Sequence, residues 1–248
     1  MTQPPVDGGI VLRRAGRADP EHDLLLQGAA GEPVYGLALR HLQERGMVGD
    51  LWAVDLSARP TVFGYEDVPS VRIGFRPMTR ADLPDVVRWQ QAPHVARWWN
   101  NENPDVATAE RNYGPALDGD DPTRMWVVEL NGRSVGTVQD YRIGDHPEYA
   151  LLTAEPEAVG FDYLIGPPEW TGKGIGTRML WTFLRDVVRP HYPDAPTYFA
   201  APDHRNSVSL RVLDKLGFMR GLWFDEPQPD GRVDTVVSCK FDVRRIFG

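Results

Sequence analysis

The sequence predicts an α/β fold that begins near residue 70, behind a leading extension. Three observations predict it. From Phe75 onward, strand-like and helix-like segments alternate. Asn131-Gly132 separates two apolar alternations, the strongest short-range hairpin signal in any sequence. A glycine-rich turn over 172–176 stands between a strand pattern and an amphipathic helix pattern. By contrast, the first seventy residues are rich in Gly, Pro and Asp with only scattered periodicity. We therefore divide the chain into an extension or small subdomain over 1–70 and a principal domain over 71–248. Within the extension, 10–14 and 51–56 read as strands, and 34–44 as a short helix punctuated by Gly46.

The principal domain opens with a strand over 71–77. A helix over 81–90 follows, where Leu83, Val86 and Val87 keep the spacing of one helical face, and Pro93 is expected to stop it. A second helix over 105–117 leads into a hairpin, 125–130 and 135–141, about the Asn-Gly turn. The next strand, 158–165, ends at the glycine turn. Beyond it Ile175, Met179, Leu180, Phe183, Leu184, Val187 and Val188 form one apolar stripe, with Pro190 expected to end the helix. A short strand at 197–200 precedes a helix over 207–216 with Gly217 at its C′ position. Strands over 218–224 and 233–241, joined across Asp230-Gly231, complete the chain.

With 248 residues, 42% hydrophobic and 25% charged, the chain has the make-up of an ordinary globular protein. The N-terminus MTQPPVDGG has neither a basic n-region nor an apolar h-region, and no apolar run approaches the roughly 18 to 20 residues of a spanning helix. A cytoplasmic address with no membrane partner is the expectation. The lone Cys239 excludes an internal disulfide and a cysteine-based zinc cluster, and no metal is expected. A net charge of −8 argues against a nucleic-acid partner and suits a cationic small molecule.

The turn Gly172-Lys173-Gly174-Ile175-Gly176-Thr177 has the features of a pyrophosphate seat. Unpaired amides at the start of a helix point outward along the positive end of its dipole, and glycine lets a phosphate approach the backbone closely. Two familiar nucleotide motifs fail. A dinucleotide fingerprint would need Gly or Ala where Met179 or Thr177 stands, and a P-loop would need Lys-Ser or Lys-Thr after its last glycine.

The stretch Pro168-Glu169-Trp170-Thr171-Gly172-Lys173-Gly174-Ile175-Gly176 resembles the acyl-CoA pyrophosphate loop of the GNAT N-acyltransferases. Asn206 through Lys215-Leu216-Gly217-Phe218 resembles their Asn…Lys-x-Gly-Phe segment, and the order of strands and helices is also that of their fold. The resemblance spans about 71–243. It implies a mixed, mostly antiparallel central sheet flanked by helices, acetyl-CoA as co-substrate, and a monomer or homodimer. It also implies cofactor contacts from Leu164, Ile165, Gly172, Lys173, Gly174, Ile175, Gly176, Thr177 and Asn206. Two positions depart from the family pattern. Thr171 stands where an Arg or Gln is usual, and Leu213 where a Tyr general acid is frequent, so the departing thiolate must be met by water, another residue or the substrate.

A narrower likeness is carried by His94-Val95-Ala96-Arg97-Trp98-Trp99, Tyr113, Asn131-Gly132…Gly136…Gln139-Asp140-Tyr141, and Gly160-Phe161-Asp162 ten residues before Gly172. Together these resemble the aminoglycoside 6′-N-acetyltransferases. The likeness implies Asp162 as base or anchor at the reacting amine and Trp99, Tyr113, Gln139 and Asp203 in the acceptor pocket. An amine must shed a proton before it attacks a thioester, and the oxyanion that forms must be met by amides. A carboxylate of pKa about 3.9 is a weak base for that task. Either burial raises the pKa of Asp162, or water relays the proton, or the residue orients the cation. Asp145, Glu148, Glu155 and Glu157 lie in the segment before the Asp162 strand and are either ammonium ligands or a solvated loop. Ala201 stands where the aminoglycoside enzymes place an Asp, and Pro202-Asp203-His204-Arg205-Asn206 resembles a loop of siderophore-pathway lysine N-acyltransferases. Three readings follow: acetylation of a polycationic amine such as an aminoglycoside, acylation of a lysine or hydroxylysine side chain, and a catalytically idle acyl-CoA sensor.

Overall fold

The computed structural model describes strands at 9–14, 24–27, 51–55 and 62–63, and then residues 72–99, 103–228 and 231–244. In the leading part β1 (Gly9–Arg14), β2 (Leu24–Gln27), β3 (Leu51–Asp55) and β4 (Val62–Phe63) pair antiparallel in the order β2-β1-β3-β4. β1 and β3 fall where strands were expected. The expected helix over 34–44 lies outside the described residues.

The principal unit runs β5 (Ile73–Pro77), α1 (Leu83–Gln90), α2 (Pro93–Trp99), α3 (Val106–Asp118), β6 (Arg124–Leu130), β7 (Arg133–Arg142), α4 (Pro147–Thr153) and β8 (Val159–Ile165). It continues with α5 (Ile175–Phe183), β9 (Thr197–Ala200), α6 (Ser207–Leu216), β10 (Met219–Pro227) and β11 (Val233–Asp242). Its sheet has seven strands in the order β10-β11-β9-β8-β7-β6-β5. Every neighbouring pair is antiparallel except β8 with β9. That one parallel junction needs a crossover, which α5 supplies. Asn131 and Gly132 take φ of 52° and 79°, the left-handed pair that closes a two-residue hairpin between β6 and β7.

The two faces of the sheet follow from the two-residue period of its strands. On β6, Val128 and Leu130 face α5 and α6, whereas Met125 and Val127 face α1, α2 and α3. On β8, Val159 and Phe161 take the first side and Leu164 the second. Helix ends are fixed by local chemistry. Asp105 accepts the Thr108 amide at 2.7 Å to start α3, and Asn206 accepts the Ser209 amide at 3.2 Å to start α6. Gly119 and Gly217 end these helices in left-handed backbone.

Three local expectations are corrected. Pro93 begins α2 rather than closing the preceding helix, because its fixed φ suits a first turn and its missing N–H is not needed there. Pro190 does not end the long helix. After Phe183 the coil widens into a π turn over Leu184–Val188 and runs on to His191. The widening falls where proline would have removed a hydrogen bond from the ordinary ladder. The acidic segment before β8 holds α4, which starts on Pro147 and stops at Ala154 in left-handed backbone. Among the described residues, no helix is long and apolar enough to cross a membrane.

Candidate active site

β8 positions the site. Its pairing with β7 runs the full length from Val159 to Ile165, yet its parallel pairing with β9 ends after two residues, Val159 with Tyr198 and Gly160 with Phe199. Beyond Gly160 the two strands part, and one backbone edge of β8 is left without a strand. A cavity of about 740 Å3 opens at this parting. Phe161, Asp162 and Tyr163 of β8 line it, with Ala200 at the end of β9 and Asn206 and Ser209 at the start of α6. Its volume is that of a small-molecule site.

Asp162 lies on the α1–α3 side of the sheet, directly opposite Gln139 in register. Gln139 Nε2 donates to Asp162 Oδ2 at 3.0 Å, and the Tyr141 hydroxyl donates to the same oxygen at 3.3 Å. Oδ1 has no hydrogen-bond partner among the described residues. The Tyr141 ring reaches this position because residue 160 is glycine: a Cβ there would stand 2.6 Å from the ring. Burial pushes the Asp162 carboxyl above the usual carboxylate range, and the two neutral donors only partly offset it. The result is a desolvated carboxylate with no cation of its own among the described residues.

Further acid faces it across the cavity. Glu226 of β10 and Asp234 of β11 line the same space. Burial and the neighbouring charges of Asp162 and Asp234 push the Glu226 carboxyl up to about 7. Neither residue was singled out in the sequence, since a hairpin carboxylate looks like any solvated one until the fold brings it to Asp162. The four acids before β8 contribute nothing to this wall. Glu155 pairs with Lys240, Glu157 lies 3.8 Å from Arg142, and Asp145 and Glu148 are exposed elsewhere.

Of the acceptor residues expected, Trp99, Gln139, Asp162 and Asp203 line the cavity, joined by Trp98 and Asn112. Tyr113 does not. It is buried, and its hydroxyl accepts from Gln90 at 2.8 Å and Asn103 at 3.0 Å, a network that also seats the neighbouring Asn112. Asp203 is held by Arg205 through its backbone amide and guanidinium, the closest contact 2.6 Å, which lowers its pKa. His204 turns away, its Nδ1 2.9 Å from the Thr235 carbonyl and its ring against Trp223.

In the turn beyond β8, Gly172 and Gly174 adopt φ of 73° and 75°. Gly174 caps α5, so the turn presents the first amides of that helix to solvent. Nothing stands within 4 Å of a Cβ built on Gly172, so glycine is required there by backbone conformation rather than by crowding. The Thr171 hydroxyl donates to the Pro168 carbonyl at 2.8 Å and is used within the turn. Leu164 and Ile165 lead from the cavity toward this turn, and His94 Nε2 lies 2.9 Å from the Ile165 carbonyl, pinning the end of the strand. We expect Gly174→Ala to cost about 1 kcal/mol in denaturant unfolding, the ordinary penalty of left-handed backbone, and to weaken acetyl-CoA binding in calorimetry by a larger factor than it weakens the fold.

Residues 78–225 match the family model described as an acetyltransferase (GNAT) domain, more than half of the chain. The chain belongs to the GNAT acetyltransferases. Acetyl transfer from acetyl-CoA to an amine is the activity this membership brings. The aminoglycoside N(6′)-acetyltransferase type 1 of Klebsiella pneumoniae is 25% identical over 151 residues, 60% of this GNAT chain and 74% of that protein. Among solved structures, aminoglycoside acetyltransferase AAC(6′)-Ib in complex with coenzyme A aligns with a TM-score of 0.61 at 23% identity, covering 71% of this chain and 98% of that one. Spermidine N-acetyltransferase from Vibrio cholerae, in complex with CoA and spermine, aligns with a TM-score of 0.55 at 18% identity, covering 71% and 98%. These structures share the GNAT fold.

Proposed function

We propose that this GNAT enzyme acetylates a primary amine of a polycationic small molecule, with an aminoglycoside 6′-amine as the preferred acceptor class. The observation that supports it most is the acid-rich cavity: Asp162 has no cationic partner among the described residues, and Glu226 and Asp234 add further acid across the same space, against the one arginine of its lining, Arg232. A buried carboxylate without a counter-ion is costly, and an ammonium group offsets that cost on arrival. In this reading acetyl-CoA lies along the free edge of β8 at Leu164 and Ile165. Its pyrophosphate meets the amides from Gly172 to Thr177 beside Lys173, and Asn206 closes the other side. Asp162 anchors the ammonium and takes its proton, a task that its raised pKa favours. Trp98 and Trp99 provide flat apolar walls for the acceptor body.

The test is coenzyme A release from acetyl-CoA by the purified full chain with kanamycin, spermidine or lysine as acceptor. Rapid release with kanamycin supports the proposal. Release only with lysine and longer acyl-CoA donors would move the assignment to the siderophore-type reaction, and acetyl-CoA binding with no turnover would leave the idle sensor.

Glu226 gives this reading a pH signature. Its carboxyl is neutral below about pH 7 and ionised above it, so the KM for a polycation should fall as pH rises from 6 to 8. Glu226→Gln should keep a high KM and lose that slope. The stability effect has the opposite sign. Because the folded state holds this proton more tightly than the unfolded chain does, the stabilisation is complete at low pH and lost as pH rises through about 7. Urea titrations at pH 5 and 8 should therefore show wild type losing more stability than the Gln variant.

A further inference from the structure

An acyl transfer that releases a thiolate is helped by a hydrogen-bond donor at the sulfur, and Leu213 cannot be that donor. Its side chain is fully buried in the core between α6 and the sheet. We propose that the hydroxyl of Tyr163 takes this place and donates to the coenzyme A sulfur as it leaves. The inference rests on the acetyl-transfer reading above and assigns a further catalytic residue within it.

Position is the first argument. Tyr163 follows Asp162 on β8, so its side chain falls on the other face of the sheet, toward α5 and α6. There its ring packs against the main core and stacks beside Phe161 at 6.3 Å. Both residues nevertheless line the same cavity, because the parting of β8 from β9 opens the sheet at this point. If the amine meets the acyl carbon beside Asp162, the rest of coenzyme A must run toward the glycine turn that follows the C-terminal end of β8. The sulfur is the first atom of that arm. It therefore lies alongside the next residue toward the turn, which is Tyr163.

Chemistry is the second. Among the residues lining the cavity Tyr163 is the only phenol, and no lysine, histidine or cysteine accompanies it. Its hydroxyl is 2.8 Å from Ser209 Oγ in the first turn of α6, across the gap between strand and helix. Ser209 is fixed in turn by the bond from its amide to Asn206. The phenol is thus held at the edge of the opening, which both residues line, by a partner that can accept its hydrogen bond or return one. Burial holds the phenol in its neutral form, so a hydrogen is always available to donate.

The step balances without transfer of the tyrosine proton. The amine nitrogen forms a bond to the thioester carbon, the carbonyl electrons move to oxygen, and their return breaks the carbon–sulfur bond. The electron pair leaves on sulfur, held by the Tyr163 hydroxyl. Asp162 takes the proton whose loss frees the amine; the second proton, shed once the carbon–nitrogen bond has formed, passes to water, and the released thiolate is protonated by solvent, as a thiol of pKa about 8.5 is at neutral pH.

Tyr163→Phe keeps the ring and its packing and removes only the donor. With acetyl-CoA and the best amine found for the wild type, kcat should fall roughly 10- to 100-fold, the range for a lost bond to a developing charge. The KM for acetyl-CoA should change less than about twofold, with the melting temperature monitored in parallel. An unchanged kcat, or a rise in KM alone, would overturn the proposal, the latter making Tyr163 a binding contact only. Ser209→Ala supplies the second reading: a several-fold fall in kcat at constant KM supports the assignment. Should the Phe variant not fold, an unchanged kcat in Ser209→Ala counts against it. A wild-type protein that releases no coenzyme A with any amine overturns the acetyl-transfer reading and this inference together, whereas an active wild type beside an equally active Phe variant overturns the inference alone.

Discussion

Asp162→Asn should lower kcat with kanamycin by about 10²- to 10⁴-fold, the span expected when a positioned acid–base group is removed, while acetyl-CoA binds as before. The two effects separate because of where the residue points. Asp162 faces the α1–α3 side, where the proposed function puts the acceptor, whereas the glycine turn and the free edge to which it assigns the donor are backbone features which the substitution leaves alone. Asparagine also fits the local bonds. Its amide can still meet Gln139 and Tyr141, so the fold should hold, and removing a desolvated charge should even raise the melting temperature slightly. Steady-state coenzyme A release together with calorimetry of acetyl-CoA checks both halves. The pH profile of the wild type adds a sign. Since burial raises the Asp162 pKa, activity should fall on acidification at a pH above the ordinary carboxylate range.

Gly136→Ala should be the most damaging small substitution in the principal domain. A Cβ on Gly136 would stand 2.1 Å from the Leu164 carbonyl oxygen, part of the backbone of the neighbouring strand, which cannot rotate away as a side chain could. β8 would have to move off β7 at the point where Gly136 pairs with Ile165. We expect a loss of about 3 kcal/mol in urea unfolding, the upper part of the range for overpacking. Function should suffer beyond the stability loss, because the displaced residues, Leu164 and Ile165, lead from the cavity to the glycine turn, the stretch along which the proposed function lays acetyl-CoA. Acetyl-CoA affinity measured well below the unfolding transition should be reduced, whereas a protein merely less stable would bind normally once folded.

The succession of strands and the turns were legible because their signals are local. The Asn131-Gly132 hairpin, the stripe on α5 and the cap at Gly217 each depend on a few neighbouring residues. Proline misled in both places where it was read as a stop. Pro93 is compatible with a helix start and Pro190 with a widened turn, and the residue alone does not distinguish these from termination. The site was legible only in part. Asp162 and the glycine turn stand out by motif, and Trp99, Gln139 and Asp203 share the cavity. Tyr113 belongs to a buried network, since a hydroxyl that satisfies Gln90 and Asn103 is spent in the interior. Glu226, Asp234 and Ser209 could not be foreseen, because each is remote in sequence from Asp162 or Tyr163 and becomes a neighbour only when β10, β11 and α6 close over the parting strands.

That parting has a mechanical meaning. The seven-stranded sheet is two panels, β5 to β8 and β9 to β11, sewn together by two residue pairs at Val159 and Gly160. We expect such a seam to act as a pivot, a small rotation about it changing the width of the wedge while each panel keeps its own hydrogen bonds. A donor lying in the wedge would act as a splint between the panels. Amide hydrogen exchange along the open edge of β8 should then slow on addition of acetyl-CoA, with the interior of each panel unaffected.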